Sequence, residues 1–151
     1  MDELILNDQI VLYDRVATVS AYRSIDWIET DQCSCNACKN FWRFRDVAYG
    51  PKLLRLLECI GVDRRKVWEV FWSGEEKGID GRILYGGWFP FVGEWSPSNS
   101  RRDARDLPKQ DESFYFSENF PNATQKFGTK VLAVEFFVDV PKSSDYISDF
   151  E

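Results

Sequence analysis

The sequence contains no histidine. That absence excludes the Ser-His-Asp triad, the Cys-His pair, the HExxH zinc hydrolases and the two-histidine, one-carboxylate iron site. Any catalysis would have to rest on carboxylate, lysine, tyrosine or thiol. Long apolar runs are also missing, and none approaches the roughly 20 residues that cross a bilayer. The opening Met1-Asp2-Glu3-Leu4-Ile5-Leu6 is acidic where a secretory leader is basic, and its apolar stretch is short. The expectation is a cytoplasmic protein without membrane contact. Basic excess is lacking as well: 19 Lys and Arg stand against 25 Asp and Glu, a net charge of −6. Nucleic-acid phosphates need a basic footprint, so nucleic acid is not the expected partner. Arg43, Arg45, Arg55, Arg64, Arg65 and Lys66 do crowd one region, and they read as solvated helix faces.

What is present begins with length. A chain of 151 residues suits one domain. At this size roughly two-thirds of the unfolded surface can be buried, so disulfides are not needed to hold the fold. Aromatic residues make up 16% (12 Phe, 6 Trp and 6 Tyr), enough for a ring-rich core with rings left over for a recognition surface.

Of four cysteines, three fall in Cys33-Ser34-Cys35-Asn36-Ala37-Cys38. In a reducing compartment, clustered thiols more often bind metal or do redox work than form a stable disulfide. Zinc takes four ligands in a tetrahedron and favours thiolate. Cys33, Cys35 and Cys38 offer three donors. A Cys-x-Cys step in extended chain puts both thiols on one side. The fourth ligand has to be Cys59, a carboxylate such as Asp31 or Asp46, water, or a group from another chain. Cys59 lies off its helix's leucine face by roughly 120°. One structural zinc ion at Cys33, Cys35, Cys38 and Cys59 is therefore an expectation. A redox reading uses Cys35-Asn36-Ala37-Cys38, since a helix N-terminus favours thiolate. The βαβ pattern of a thioredoxin-like fold is missing around it. A third reading leaves the thiols reduced and without a task, with Cys59 a small buried hydrophobe.

The rest of the chain reads as α+β: an antiparallel sheet with a helical hairpin inserted after the cysteine-rich loop. Gln9–Tyr13 reads as a strand, and Asp14-Arg15 as a turn. Arg15–Tyr22 fits a strand or, through Val16 and Val19, a helix. Ser24–Glu29 alternates. Residues 38–47 form a short helix with Asn36 as a candidate cap. Pro51 opens a second helix whose Leu53, Leu56, Leu57 and Ile60 share a face, and Gly61 ends it. Lys66–Trp72 reads as a strand, followed by a polar connection with Asp80-Gly81. Arg82–Trp95 is a long strand in which Gly86-Gly87 marks close backbone approach and Pro90 a bulge or an edge. A mobile polar loop covers about 96–112, a short strand 113–117 and a loop 118–129. Lys130–Val140 is a strand with Leu132, Val134, Phe136, Val138 and Val140 on one face and Glu135 and Asp139 on a wetter one. The single domain spans 1–141, and 142–151 is an acidic, flexible tail.

Cys33-x-Cys35-x-x-Cys38-Lys39-Asn40-Phe41, followed by the leucine-rich helix and Gly61-Val62-Asp63, resembles a family of small, uncharacterised bacterial proteins. They carry a Cys-x-Cys-x-x-Cys-(Arg/Lys)-Asn-aromatic signature. Tyr85-x-Gly87-Trp88-x-x-Phe91-Val92-Gly93-Glu94, Phe116-Ser117, and Val134-Glu135-Phe136 leading to Val140-Pro141 extend the resemblance over about residues 22–141. It implies a shared fold and no mechanism. The acidic start and Arg101-Arg102-Asp103-Ala104-Arg105 look like departures particular to this chain.

Further constellations are weaker. Glu75-Glu76 and Asp80 make a carboxylate group on a turn, more simply read as solvated. Glu69, Glu94 and Glu135 come from three strands and would converge if those strands were neighbours, although cross-strand pairing with Arg or Lys is the simpler expectation. Trp88 beside Gly86-Gly87 would make a ligand platform, or pack in the core. The functional expectation is a non-catalytic protein-binding domain of inhibitor or immunity type, with the cysteines as a structural zinc clip. The alternative is a thiol- or metal-dependent enzyme or redox sensor at the same cysteines.

Overall fold

Alternation along the segment after Gly81 organises the molecule. Strand β4 (Arg82–Trp95) pairs antiparallel with β6 (Val131–Pro141) from Arg82↔Pro141 to Val92↔Val131. This register puts Ile83, Tyr85, Phe89 and Phe91 on the same buried face as Leu132, Val134, Phe136 and Val140. The computed structural model describes residues 1–26, 34–74, 81–100, 113–119 and 125–147. Within them lie β1 (Asp2–Leu6), β2 (Gln9–Tyr13), β3 (Glu69–Gly74) and β5 (Ser113–Ser117). The sheet is antiparallel, in the order β1-β2-β4-β6-β5, with β3 also on β4. Helices α1 (Arg15–Arg23), α2 (Asn36–Ala48) and α3 (Pro51–Ile60) complete an α+β fold, and α2–α3 is the expected hairpin after the cysteine segment.

Local chemistry explains the helix ends. Pro51 occupies the first turn of α3, where a missing N–H costs nothing. Gly61 ends α3 with φ +88°, a left-handed conformation that L side chains avoid. A Cβ there would also stand 2.8 Å from the Arg15 carbonyl, so glycine permits the close approach of α1 to α3. The stretch from Arg15, ambiguous in sequence, is helical because Asp14 caps it: its carboxylate accepts the Ala17 N–H at 2.9 Å. In α2 the cap is Cys35, not Asn36, and its sulfur accepts the Cys38 N–H at 3.3 Å.

Three further expectations shift. The strand Asp2–Leu6, unread in sequence, pairs with β2 through a turn at Asn7-Asp8, where Asn7 has φ +44°. The strand expected from Lys66 begins at Glu69, although the Trp68 N–H already donates to the Trp88 carbonyl at 2.9 Å. The stretch from 142, expected to fray, is tied at its start. Ser143 N–H donates to Asn40 Oδ1 at 2.9 Å, Asp145 pairs with Arg43, and Tyr146 packs on the core. Residues 27–33, 75–80 and 101–112 lie outside the described residues, and with them Trp27 of the alternating segment, the Glu75-Glu76-Asp80 group and the arginine-rich loop.

One edge of β4 is shared. β3 takes Leu84–Trp88 and β2 takes Gly93–Trp95, which leaves a gap around Pro90. Helix α1 fills it with side chains. The Thr18 hydroxyl oxygen accepts the Val92 N–H at 3.0 Å, and the Tyr22 hydroxyl donates to the Pro90 carbonyl at 2.7 Å. Residues 88, 90 and 92 aim their polar backbone groups at this edge, so proline sits where a ladder donor has no strand to meet. The sheet also curls far enough for β2 to reach β5, its non-neighbour. The fully buried Gln9 amide donates to the Phe116 carbonyl at 2.9 Å and accepts the Phe116 N–H at 2.8 Å. A side-chain amide thus stands in for a strand residue on the outer edge of β5.

Under the helical hairpin, Phe89 stacks on Phe136 at 5.2 Å, and Tyr49 stands edge-on to both. The Tyr49 hydroxyl is buried with no hydrogen-bond partner among the described residues. Burial pushes its pKa up. An orphaned buried hydroxyl costs about 1–3 kcal/mol. Tyr49→Phe is therefore expected to stabilise the fold by about 1–2 kcal/mol. The readout is a higher urea midpoint at unchanged slope. A lower midpoint would mean that the hydroxyl holds a bridging water.

Candidate functional site

The opposite face of the sheet carries the more unusual arrangement. Strand parity sends Glu69 and Phe71 of β3, Gly86 and Trp88 of β4, Glu135 and Phe137 of β6, and Tyr115 of β5 to this side. Register then aligns them: Glu69↔Trp88, Trp88↔Glu135 and Tyr115↔Glu135 form one row across four strands. A second row runs Phe71↔Gly86↔Phe137. Phe71, Trp88, Tyr115 and Phe137 belong to neither buried cluster and stay half-buried.

Their contacts form one surface. The Trp88 indole N–H donates to Glu135 Oε1 at 2.7 Å, and the Tyr115 hydroxyl donates to Glu135 Oε2. Phe71 lies 5.1 Å from Trp88 and 6.0 Å from Phe137, and Tyr115 lies 6.4 Å from Phe137. Phe71 settles on bare backbone: a Cβ at Gly86 would stand 2.3 Å from its ring. The open ring over the double glycine is thus Phe71 and not Trp88. Gly87 faces the core and lies against Phe136 at 2.7 Å by the same measure.

Of the three carboxylates that would converge if their strands were neighbours, with pairing to Arg or Lys the simpler expectation, Glu69 and Glu135 flank Trp88. Glu94 stands at the far end of β4 and pairs with Lys130 at 3.5 Å. Chemically, the row is a carboxylate fixed between two polar ring edges among aromatic faces. Rings attract cations through their quadrupole, and a carboxylate accepts a guanidinium fork. Sequence parity marks Glu135 and Asp139 as the wet side of β6, but it does not show that Tyr115 and Trp88 are the neighbours of Glu135.

The cysteines separate. Cys35 and Cys38 share the N-terminal turn of α2, half-exposed and buried respectively. The Tyr85 hydroxyl, beneath them, donates to the Ala37 carbonyl at 2.7 Å, and burial raises its pKa. Cys59 is exposed on α3 and lies 3.5 Å from the Tyr13 hydroxyl. That contact is the main cause of a Tyr13 pKa raised to about 12. Cys33 lies outside the described residues. As half of a zinc site, Cys35 and Cys38 have suitable donors on one turn. Among the described residues, no three His, Cys, Asp or Glu side chains gather closely enough to share an ion. Among those residues, too, no helix is long and apolar enough to cross a membrane.

No family model, curated protein or solved structure matches the chain.

Proposed function

We propose that this protein is a non-catalytic binding domain that docks a basic protein partner through the open face of its sheet. An inhibitor or immunity-type protein works in this way. The observation that carries the reading is Glu135 fixed by both Trp88 and Tyr115, with Phe71 and Phe137 beside it. Aromatic anchors dominate the energetics of protein interfaces, and Trp and Tyr lead among them. Here they surround a carboxylate on a chain of net charge −6, which complements an arginine or lysine side chain. A structural zinc at Cys33, Cys35 and Cys38 would brace α2 in this reading and take no part in docking. A thiol-centred activity is the second reading, favoured by the Cys38 N–H that donates to the Cys35 sulfur.

The test is a titration with short arginine- and lysine-containing peptides, followed by the indole N–H resonance of Trp88. Basic peptides are expected to shift it and acidic ones to leave it unmoved. Trp88→Ala and Glu135→Gln, both on a half-buried face, should each weaken binding about tenfold, or about 1.4 kcal/mol. A Cys33→Ser, Cys35→Ser, Cys38→Ser variant that stays folded should bind unchanged. Peptide binding that leaves Trp88 unmoved but disappears with the thiols would overturn the reading in favour of the second.

A further inference from the structure

A cleft of about 670 Å³ opens between α1 and the turn that follows α3. Its lining includes Arg15 and Arg23 from α1, with Arg64 and Arg65 from beyond Gly61. These pairs are some 40 residues or more apart in the chain, by residue number, and the close packing of α1 on Gly61 brings them together. All four side chains are exposed, and among the described residues none of their guanidinium groups is ion-paired. Arg15 does donate through Nε to the Glu58 carbonyl at 3.3 Å, which caps the C-terminal end of α3.

Two carboxylates also line the cleft, Glu58 and Asp63. Asp63 is engaged in its own turn, where Oδ1 accepts the Arg65 N–H at 3.1 Å. Lys66 adds a further cation nearby, its ammonium bound to the Tyr22 carbonyl at 2.7 Å. The walls between the charges are apolar, from Val19, Leu54 and Val62. Cations therefore outnumber anions here on a chain that is acidic as a whole, and the volume falls within the range of small-molecule pockets. Guanidinium groups bind carboxylate and phosphate by the same two-pronged geometry.

We infer that this cleft binds a small organic oxyanion, a carboxylate or phosphate carried on an apolar body. The headgroup sits among Arg23, Arg64 and Arg65, and the body lies on Val19 and Val62. The site shares no residue with the aromatic sheet face, so it stands or falls separately from the docking proposal.

The probes are phenyl phosphate and benzoate, with benzyl alcohol and inorganic phosphate as controls. The readout is the amide resonances of Gly61, Val62, Arg64 and Arg65. Both aromatic anions are expected to shift these amides at millimolar concentration, and the tighter of the two identifies the headgroup. Arg64→Ala and Arg65→Ala should each weaken binding about tenfold, the effect of losing one charge-assisted contact. Arg43→Ala, on the exposed side of α2, should leave binding intact. No shift at these amides would overturn the inference. So would binding that survives the folded Arg64→Ala, Arg65→Ala double variant. Binding of benzyl alcohol as tight as that of benzoate would remove the anion requirement, and inorganic phosphate binding as tightly as phenyl phosphate would remove the apolar body.

Discussion

Gln9→Glu is expected to unfold the protein at neutral pH and to let it refold on acidification. Gln9 is fully buried, and its amide both donates to and accepts from Phe116. A carboxylate in its place would still accept the Phe116 N–H, but its other oxygen would face the Phe116 carbonyl. Charge repels there, and no water solvates it. Full burial raises a glutamate pKa by about 3–5 units, which is about 4–7 kcal/mol lost when the group is charged. A domain has only about 5–15 kcal/mol in total. The sign follows from a folded pKa above the unfolded one. Below the unfolded value, near 4.3 for glutamate, the acid is neutral in both states and can donate to the carbonyl. As pH rises toward the folded value, stability falls, and above it the full loss applies. Circular dichroism across that window checks the expectation. A variant equally stable at acidic and neutral pH would show that the side chain had swung out of the sheet.

Phe136→Ala is the second large effect, at about 3–5 kcal/mol. Phe136 has no exposed surface, stacks on Phe89 and receives the edge of Tyr49. Truncation would leave a void that cannot collapse from the Gly87 side, because there is no side chain at Gly87 to move in. Nor would Gly87→Ala fill it cleanly, since the new Cβ would meet the Glu69 carbonyl at 2.6 Å, and that oxygen is backbone. Gly86 differs, because the atoms nearest to a Cβ there belong to the Phe71 ring, which can turn away. Chemical denaturation of Phe136→Ala measures the loss, and a cost below about 1 kcal/mol would mean that the hairpin repacks freely.

The strands and the helical hairpin were legible where one residue pattern had one solution. Leucines at helical spacing between Pro51 and Gly61, and the alternation from Leu132 to Val140, each fit a single period. Arg15–Tyr22 did not, because its β-branched residues suit a strand while the spacing of Val16 and Val19 suits a helix, and Val16 ends up 80% exposed. The decisive signal there was Asp14, a helix cap that was read as a turn residue. Asp2–Leu6 went unread because its acidic start masked the alternation of Leu4 and Leu6. The sheet face was half legible. Parity within a strand shows which residues are wet, but neighbourhood between strands depends on strand order, which no local pattern encodes. The arginine cleft was less legible still. Arg64 and Arg65 look like an ordinary solvated turn until α1 brings Arg15 and Arg23 against them.

The side-chain bonds that join the first 26 residues to the rest also set an order of events during synthesis. Thr18 needs Val92, Tyr22 needs Pro90, and Gln9 needs Phe116, at separations of 74, 68 and 107 residues. A nascent chain reaches Phe116 about 5–20 seconds after Gln9 at ordinary elongation rates. Over that interval the β1–β2 hairpin and α1 exist as unpaired material with polar groups open to water. Gln9, Thr18 and Tyr22 are therefore made well before the strand residues that fix them in place.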